Sequence, residues 1–205
     1  MIVVVDYQMG NVGSILNMFR RIGVPATSSG DPAVIAAAGK LLLPGVGAFD
    51  TGMRRIRERE LVPVLRQKAL EERVPVLGIC LGMQLLTEGS EEGSEPGLGW
   101  IRGHTVRFDA ASMARGLKVP HMGWNTVALQ RPDPLFADLD EDHRFYFVHS
   151  YHVVCDDPAD VLATTHHGYA FASSVQRDNI HGMQFHPEKS HRYGLRLLKN
   201  FAERV

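Results

Sequence analysis

Cys80 lies between Gly78 and Gly82 in the stretch Val-Pro-Val-Leu-Gly-Ile-Cys-Leu-Gly-Met-Gln-Leu-Leu, residues 74–86, where one apolar run gives way to another. In a strand-turn-helix, glycines two before and two after the central residue relieve crowding and let a tight turn present its side chain at the carboxyl edge of a sheet. Gly-x-Cys-x-Gly is thus the cysteine counterpart of a serine nucleophile elbow. A neighbouring helix N-terminus favours the thiolate, and the end of a sheet leaves it within reach of a substrate. The bland alternative is a small buried hydrophobe, the usual fate of a lone cysteine.

A cysteine nucleophile needs a histidine to shuttle the proton and a third group to orient the imidazole. Among ten histidines, His186 stands out, because Gly-Met-Gln-Phe-His-Pro-Glu ends a β-like run and places Glu188 two positions on. In extended chain, i and i+2 point to the same side, and Pro187 holds the segment out of a helix. Acyl transfer also needs donors for a developing oxyanion. The N–H of Leu81 is one; the loop Pro44-Gly45-Val46-Gly47 is a candidate for the second, or a plain turn after a strand. His-x-Glu also occurs in zinc deaminases, but the Cys-x-x-Cys they need is missing. The pairs His149/His152 and His166/His167 lack ligands at metal spacing, so no metal is expected.

These groups need a scaffold. Short β-rich runs are read at Ile2-Val5, Lys40-Leu43, Pro75-Ile79, Thr105-Phe108, Arg144-Val148, Val161-Thr165 and Ile180-Gln184. Helical patterns are read at Val12-Ile22 after Asn11, Gly52-Glu72 broken near Pro63, Gly82-Glu88 and His191-Val205. The early alternation predicts an α/β fold, an open, mostly parallel sheet covered on both faces. From about residue 103 strands follow one another without helices, which predicts mixed or antiparallel additions. Glu88-Gly99 reads as a solvated loop. The 205 residues are expected to form a single domain, 1–205. Their 22 basic and 23 acidic side chains are dispersed, which argues against a nucleic-acid groove or a basic membrane-binding face. With two cysteines and no basic leader before Ile2-Val5, free thiols and a cytoplasmic location are expected.

Taken together and in this order, Pro44-Gly-Val-Gly47, Gly78-Ile-Cys-Leu-Gly-Met-Gln84 and His186-Pro-Glu188 resemble the class I glutamine amidotransferases, the triad glutaminases, whose fold is flavodoxin-like. Within them, Asp6-Tyr7 followed by Gly10-Asn11, Pro44-Gly-Val-Gly-Ala-Phe49 and Pro120-His-Met-Gly-Trp-Asn125 are similar to the family of glutaminase subunits of imidazole glycerol phosphate synthase, over essentially the whole chain. The resemblance implies glutamine hydrolysis to glutamate through a thioester acyl-enzyme. The ammonia would pass to a (β/α)₈-barrel cyclase subunit, in a heterodimer making imidazole glycerol phosphate and AICAR for histidine biosynthesis, with no cofactor.

Carried over by motif, Cys80 attacks, His186 moves the proton and Glu188 orients His186. Val46 and Leu81 supply oxyanion N–H groups, and Gly47, Gln84, Ser150 and Tyr151 hold the glutamine. Asn11, Met122, Trp124, Asn125 and Lys189 face the cyclase. On residue type alone Met122 and Trp124 read as core. Gln8 stands where this family usually has glycine, and Ser150 where threonine is common. The glutaminase of pyridoxal phosphate synthesis would lack the Pro-His-Met-Gly-Trp-Asn signature. A non-catalytic binding module and a cysteine hydrolase of another kind are the other readings.

Overall fold

In the computed structural model, residues 1–109, 111 and 117–205 are described. Strands β1 (Ile2–Val5), β2 (Ala26–Ser29), β3 (Lys40–Leu43) and β4 (Val76–Ile79) alternate with helices α1 (Val12–Arg21), α2 (Pro32–Ala36), α3 (Phe49–Glu58) and α4 (Leu61–Arg66). A π-helical turn, Gln67–Glu71, follows α4, and α5 (Leu81–Leu85) follows β4 directly. The strands β5 (Gly89–Ser90), β6 (Gly103–Arg107), β7 (His121–Asn125), β8 (Ala128–Leu129), β9 (Phe145–His149), β10 (Tyr151–Cys155), β11 (Val161–His167), β12 (Tyr169–Arg177) and β13 (Ile180–Met183) come next. Helix α6 (His191–Glu203) closes the chain.

The main sheet runs β2-β1-β3-β4-β13-β12-β10-β6-β5. From β2 to β13 every neighbouring pair is parallel; β13-β12, β12-β10 and β10-β6 are antiparallel. β7 and β9 form a separate antiparallel pair. The expected parallel sheet with antiparallel additions is therefore the one observed.

The apolar runs of the central strands are continuous because both faces are covered. Val3, Val5, Leu41, Leu43 and Val76 meet Ile35, Met53, Ile56, Leu61 and Leu85 from α2 to α5. Ile2, Val4, Leu42, Leu77 and Ile79 meet Ile15, Met18 and Phe19 of α1 and Leu197, Leu198 and Phe201 of α6. Asn11 caps α1 through Oδ1, which accepts from Ser14 N at 3.1 Å. Lys40 Nζ donates to the carbonyls of Phe201, Ala202 and Val205 at 2.6–2.9 Å, neutralising the C-terminal end of α6.

Several sequence readings are corrected. The break in 52–72 falls at Arg59–Glu60, with Glu60 left-handed at φ 55°, and not at Pro63. Pro63 sits in the first turn of α4, where its missing N–H costs no helical hydrogen bond. The sequence reading overlooked β2, whose Ala-Thr-Ser-Ser carries no apolar signal on a half-buried edge. It also overlooked α2, although Asp31 caps it through Ala33 N and Pro32 opens it.

The three segments expected to form the site leave the carboxyl ends of three adjacent parallel strands: Pro44 after β3, Cys80 after β4, Gln184 to His186 after β13. Gly78 pairs with both Leu43 and Gly182, so these exits lie level. Such a crevice is where open α/β sheets bind ligands. Close backbone approach sets the level: a Cβ on Gly82 would lie 1.9 Å from the Leu43 carbonyl oxygen, and one on Gly78 would lie 2.7 Å from Gly82 backbone. Gly82→Ala is therefore expected to lower stability by about 3 kcal/mol or more, read as a fall in the urea midpoint; an unchanged midpoint would show that β3 and the elbow separate freely.

Candidate active site

Cys80 adopts φ 52° and ψ −107°, a conformation that L-residues rarely take, at a cost on the order of 1–3 kcal/mol. Its N–H donates to the Met183 carbonyl at 2.7 Å, tying the elbow to β13. The thiol reaches a cavity of about 510 Å³ lined by Val46, Gly47, Leu81, Gln84, Ser150 and Tyr151 among others. All the residues expected to handle the substrate thus line one cavity with Cys80.

His186 lies on the other side of Cys80, 1 % exposed, its N–H donating to Tyr146 O at 2.9 Å and its carbonyl accepting from Ser190 Oγ at 2.6 Å. Nδ1 is 2.7 Å from Glu188 Oε1. A carboxylate only accepts, so Nδ1 carries the proton and Nε2 is left for the thiol. Nε2 makes no hydrogen bond of ordinary geometry, yet Cys80 is near enough to act on it. Burial disfavours the imidazolium most strongly, but Cys80 and then Glu188 together outweigh it and push His186 up to about 10. The arrangement is an oriented acid–base group beside a cysteine.

The second thiol is different in kind. Burial, then Asp160, Asp156 and Asp157, push Cys155 up to about 12, so it stays protonated at neutral pH. Both cysteines are free. Among the described residues no group of three or more metal-ligating side chains occurs.

The two N–H groups expected to serve an oxyanion lie near Cys80 but are not both free. Leu81 N–H donates to the Gly45 carbonyl at 3.3 Å. In a planar trans peptide, C=O and N–H point opposite ways, so a Gly45 carbonyl aimed at the elbow sends the Val46 N–H away from it. A rotation of the 45–46 peptide would free Leu81 and turn in Val46 together. Tyr7 holds the preceding residue: its buried hydroxyl donates to Pro44 O, and burial, then Cys80, keeps that hydroxyl protonated well above its ordinary range. A Cβ on Gly45 would meet Tyr7 Oη at 2.7 Å and Leu81 Cβ at 2.8 Å.

Gln84 spends both amide hydrogens on protein, one on Tyr151 O at 3.2 Å and one on Gln184 Oε1 at 3.1 Å, leaving Oε1 uncommitted. The Ser150 carbonyl accepts from Phe108 N at 3.1 Å. Two cavity neighbours escaped the sequence reading. Gln184, fully buried, donates to Cys80 Sγ at 3.6 Å. Glu92, in the segment read as a solvated loop, lines the cavity and accepts from Phe49 N at 2.9 Å. For Gln184, its place two residues before His186 is the signal that was available.

The family model for glutamine amidotransferase class-I matches residues 3–205. The chain belongs to the class-I glutamine amidotransferases. It is 50% identical, over the full length of both chains, to the imidazole glycerol phosphate synthase subunit HisH 2 of Methanococcus maripaludis. It is 51% identical, also over both full lengths, to the subunit HisH 2 of Pseudomonas aeruginosa. These relatives place the amidotransferase in the HisH family. A crystal structure of a glutamine amidotransferase shares its fold at TM-score 0.72 and 20% identity, covering 98% of this chain and 97% of that one.

Of the positions expected to face a partner, Met122 (62 % exposed) and Trp124 (45 %) lie on the amidotransferase surface, which corrects the core reading of both. Trp124 stacks on His191, centroids 5.3 Å apart at 4°, and Lys189 lies over the Tyr146 ring at 5.5 Å. Asn11 is exposed and Asn125 half-buried. Gln8 is left-handed, φ 63°, which explains why glycine suits the site, and its N–H is held by Asp6 Oδ1 at 2.9 Å.

Because the folded pKa of His186 lies above the ordinary value of about 6.5, the stabilisation drawn from its charged pairing is complete below that value and fades as pH rises toward 10. Glu188→Gln is expected to cost about 1.5–3 kcal/mol at pH 6 and progressively less toward pH 10, measured by urea denaturation across that range. A deficit that does not vary with pH would show that Glu188 contributes packing alone.

Proposed function

We propose that the chain is the glutaminase subunit of an imidazole glycerol phosphate synthase. One amidotransferase domain, working in the cytoplasm, would hydrolyse glutamine and pass the ammonia to a cyclase subunit of (β/α)₈-barrel form. The cyclase would make imidazole glycerol phosphate and AICAR in histidine biosynthesis. The observation that carries this is the Cys80–His186–Glu188 arrangement at one sheet edge, in a chain half identical to HisH subunits from end to end. No helix among the described residues is long and apolar enough to cross a membrane.

The chemistry follows from the geometry. The Cys80 thiolate adds to the side-chain carbonyl carbon of glutamine, and the carbonyl oxygen takes up the negative charge. N–H groups of Leu81 and Val46 would hold that oxygen once the 45–46 peptide has rotated. His186, held by Glu188, gives its proton to the departing nitrogen, the C–N bond breaks, and ammonia leaves a thioester on Cys80. Water, deprotonated by His186, then attacks the thioester and releases glutamate and the thiol. Gln84 Oε1, Gly47 and the Ser150-Tyr151 backbone orient the amino-acid end of the substrate.

The exposed Met122, Trp124 and Lys189, with Asn125 and Asn11, suit a docking face for the cyclase: an apolar and aromatic centre with polar and cationic groups beside it. Docking there is what would favour the rotated 45–46 peptide, a coupling of two sites through one two-state element.

Two outcomes are expected. Cys80→Ala abolishes glutamate release from glutamine while still co-eluting with the cyclase subunit; undiminished release would refute the assignment. The isolated chain hydrolyses glutamine slowly, and adding the cyclase subunit with its nucleotide ligand raises kcat about tenfold or more; a lone chain at full rate, indifferent to the cyclase, would contradict the coupling.

A further inference from the structure

A series of polar contacts joins β7, whose Met122 and Trp124 are exposed, to Cys80. Asn125 Nδ2 is 3.2 Å from His121 Nε2, His121 Nδ1 is 3.1 Å from His149 Nε2, and His149 Nδ1 is 2.8 Å from the Tyr151 carbonyl. That carbonyl also accepts from Gln84, which donates to Gln184, which donates to Cys80 Sγ.

The protons along this series follow by elimination. A carbonyl only accepts, so His149 Nδ1 must donate to Tyr151. If His149 is neutral, its Nε2 is a lone pair, and His121 Nδ1 must donate to it. His121 Nε2 is then a lone pair in turn, and needs a donor from outside. Asn125 presents one, with its amide orientation set independently: its Nδ2 also donates to His166 O at 3.0 Å, where a flipped amide would set oxygen against oxygen. A charge on either imidazole would set N–H against N–H or against the Asn125 amide. Only the neutral pair, both rings protonated on Nδ1, satisfies every contact.

The surroundings agree. Both rings are nearly fully buried, at 4 % and 6 % exposure. His121 stacks on His167 with centroids 4.2 Å apart, and His149 packs on Phe108 and Phe171 at 5.3 and 5.2 Å. Burial, and then His167, holds His121 down to about 4, and burial above all holds His149 well below its ordinary value.

We propose that His121 and His149 are positioning residues, a neutral pair in the Nδ1–H form that fixes the Tyr151 carbonyl and, through Gln84 and Gln184, aligns Cys80 with the glutamine cavity. Asn125, on a strand whose neighbouring residues are exposed, sets the proton order of the whole series. A ligand or partner that withdrew the Asn125 amide would leave His121 Nε2 without a donor and loosen the series from its outer end. The kinetic part of this inference rests on the glutaminase reading; the proton positions do not.

Three measurements test it. Long-range ¹H–¹⁵N spectra of the full chain at neutral pH should show His121 and His149 neutral and protonated on Nδ1. In the complex with the cyclase subunit, His149→Leu should raise the KM for glutamine about tenfold, while His149→Gln, which keeps one donor and one acceptor, should hold it within about threefold of the parent. Without glutamine, the rate of Cys80 alkylation by iodoacetamide should change in the leucine variant and stay near the parent's in the glutamine variant. Asn125→Ala, at a half-buried position, should move KM and alkylation in the same direction as His149→Leu and serves if that variant fails to fold. An Nε2–H form of either ring, or folded leucine and glutamine variants that behave alike, would overturn the proposal. A parent complex that releases no glutamate would refute the glutaminase reading, while the spectra and alkylation rates would still decide the positioning role.

Discussion

The approach of two backbones, the elbow after β4 and the end of β3, is the constraint on which the site depends. Gly82 leaves no room for even one carbon atom against the Leu43 carbonyl. That contact brings the Pro44–Gly47 loop beside Cys80 and makes it part of the site. β13, paired with β4 on the other side, then delivers His186 from the opposite flank through the Cys80 N–H to Met183 bond. Cys80 is thus held between its two supporting segments by main-chain geometry. This accounts for the strain tolerated at Cys80, since a backbone fixed on both sides cannot relax alone.

The parts of the fold legible in the sequence were those where hydrophobic period and chemistry coincide. The strands β1, β3 and β4 lie in near-continuous apolar runs because helices cover both faces, and β3 and β4 give way directly to Pro44 and Cys80. Cys80, His186 and Glu188 were readable because their spacing has a mechanical meaning, the elbow in one case and the i, i+2 relation in the other. What escaped had no such local signature. β2 is a polar edge strand, and β7 mixes glycine with polar and aromatic residues. Its exposed Trp124 and Met122 looked like core because residue type alone cannot tell an unpartnered surface from an interior.

The polar interior escaped for a different reason. His121, His149 and Gln184 are separated by tens of residues, and no periodicity links them. Each alone is an unremarkable buried polar side chain. Their meaning comes from the direction of donation, which depends on which carbonyl stands at the end of the line. Such groups are costly in a low-dielectric interior unless every member is satisfied, and here they are threaded between the aromatic rings Phe108, Phe147 and Phe171. The arrangement is a rigid polar seam through an apolar wall.

The hydrogen bond from Leu81 to the Gly45 carbonyl has a consequence for the resting protein. That carbonyl belongs to the same chain as the donor it occupies, so it competes with any incoming substrate at an effective concentration that free glutamine cannot match in solution. Glutamine filling the cavity would therefore lie beside Cys80, yet find the Leu81 N–H, an expected oxyanion donor, already taken. Until the 45–46 peptide turns, the protein would serve as its own competitive occupant of that donor.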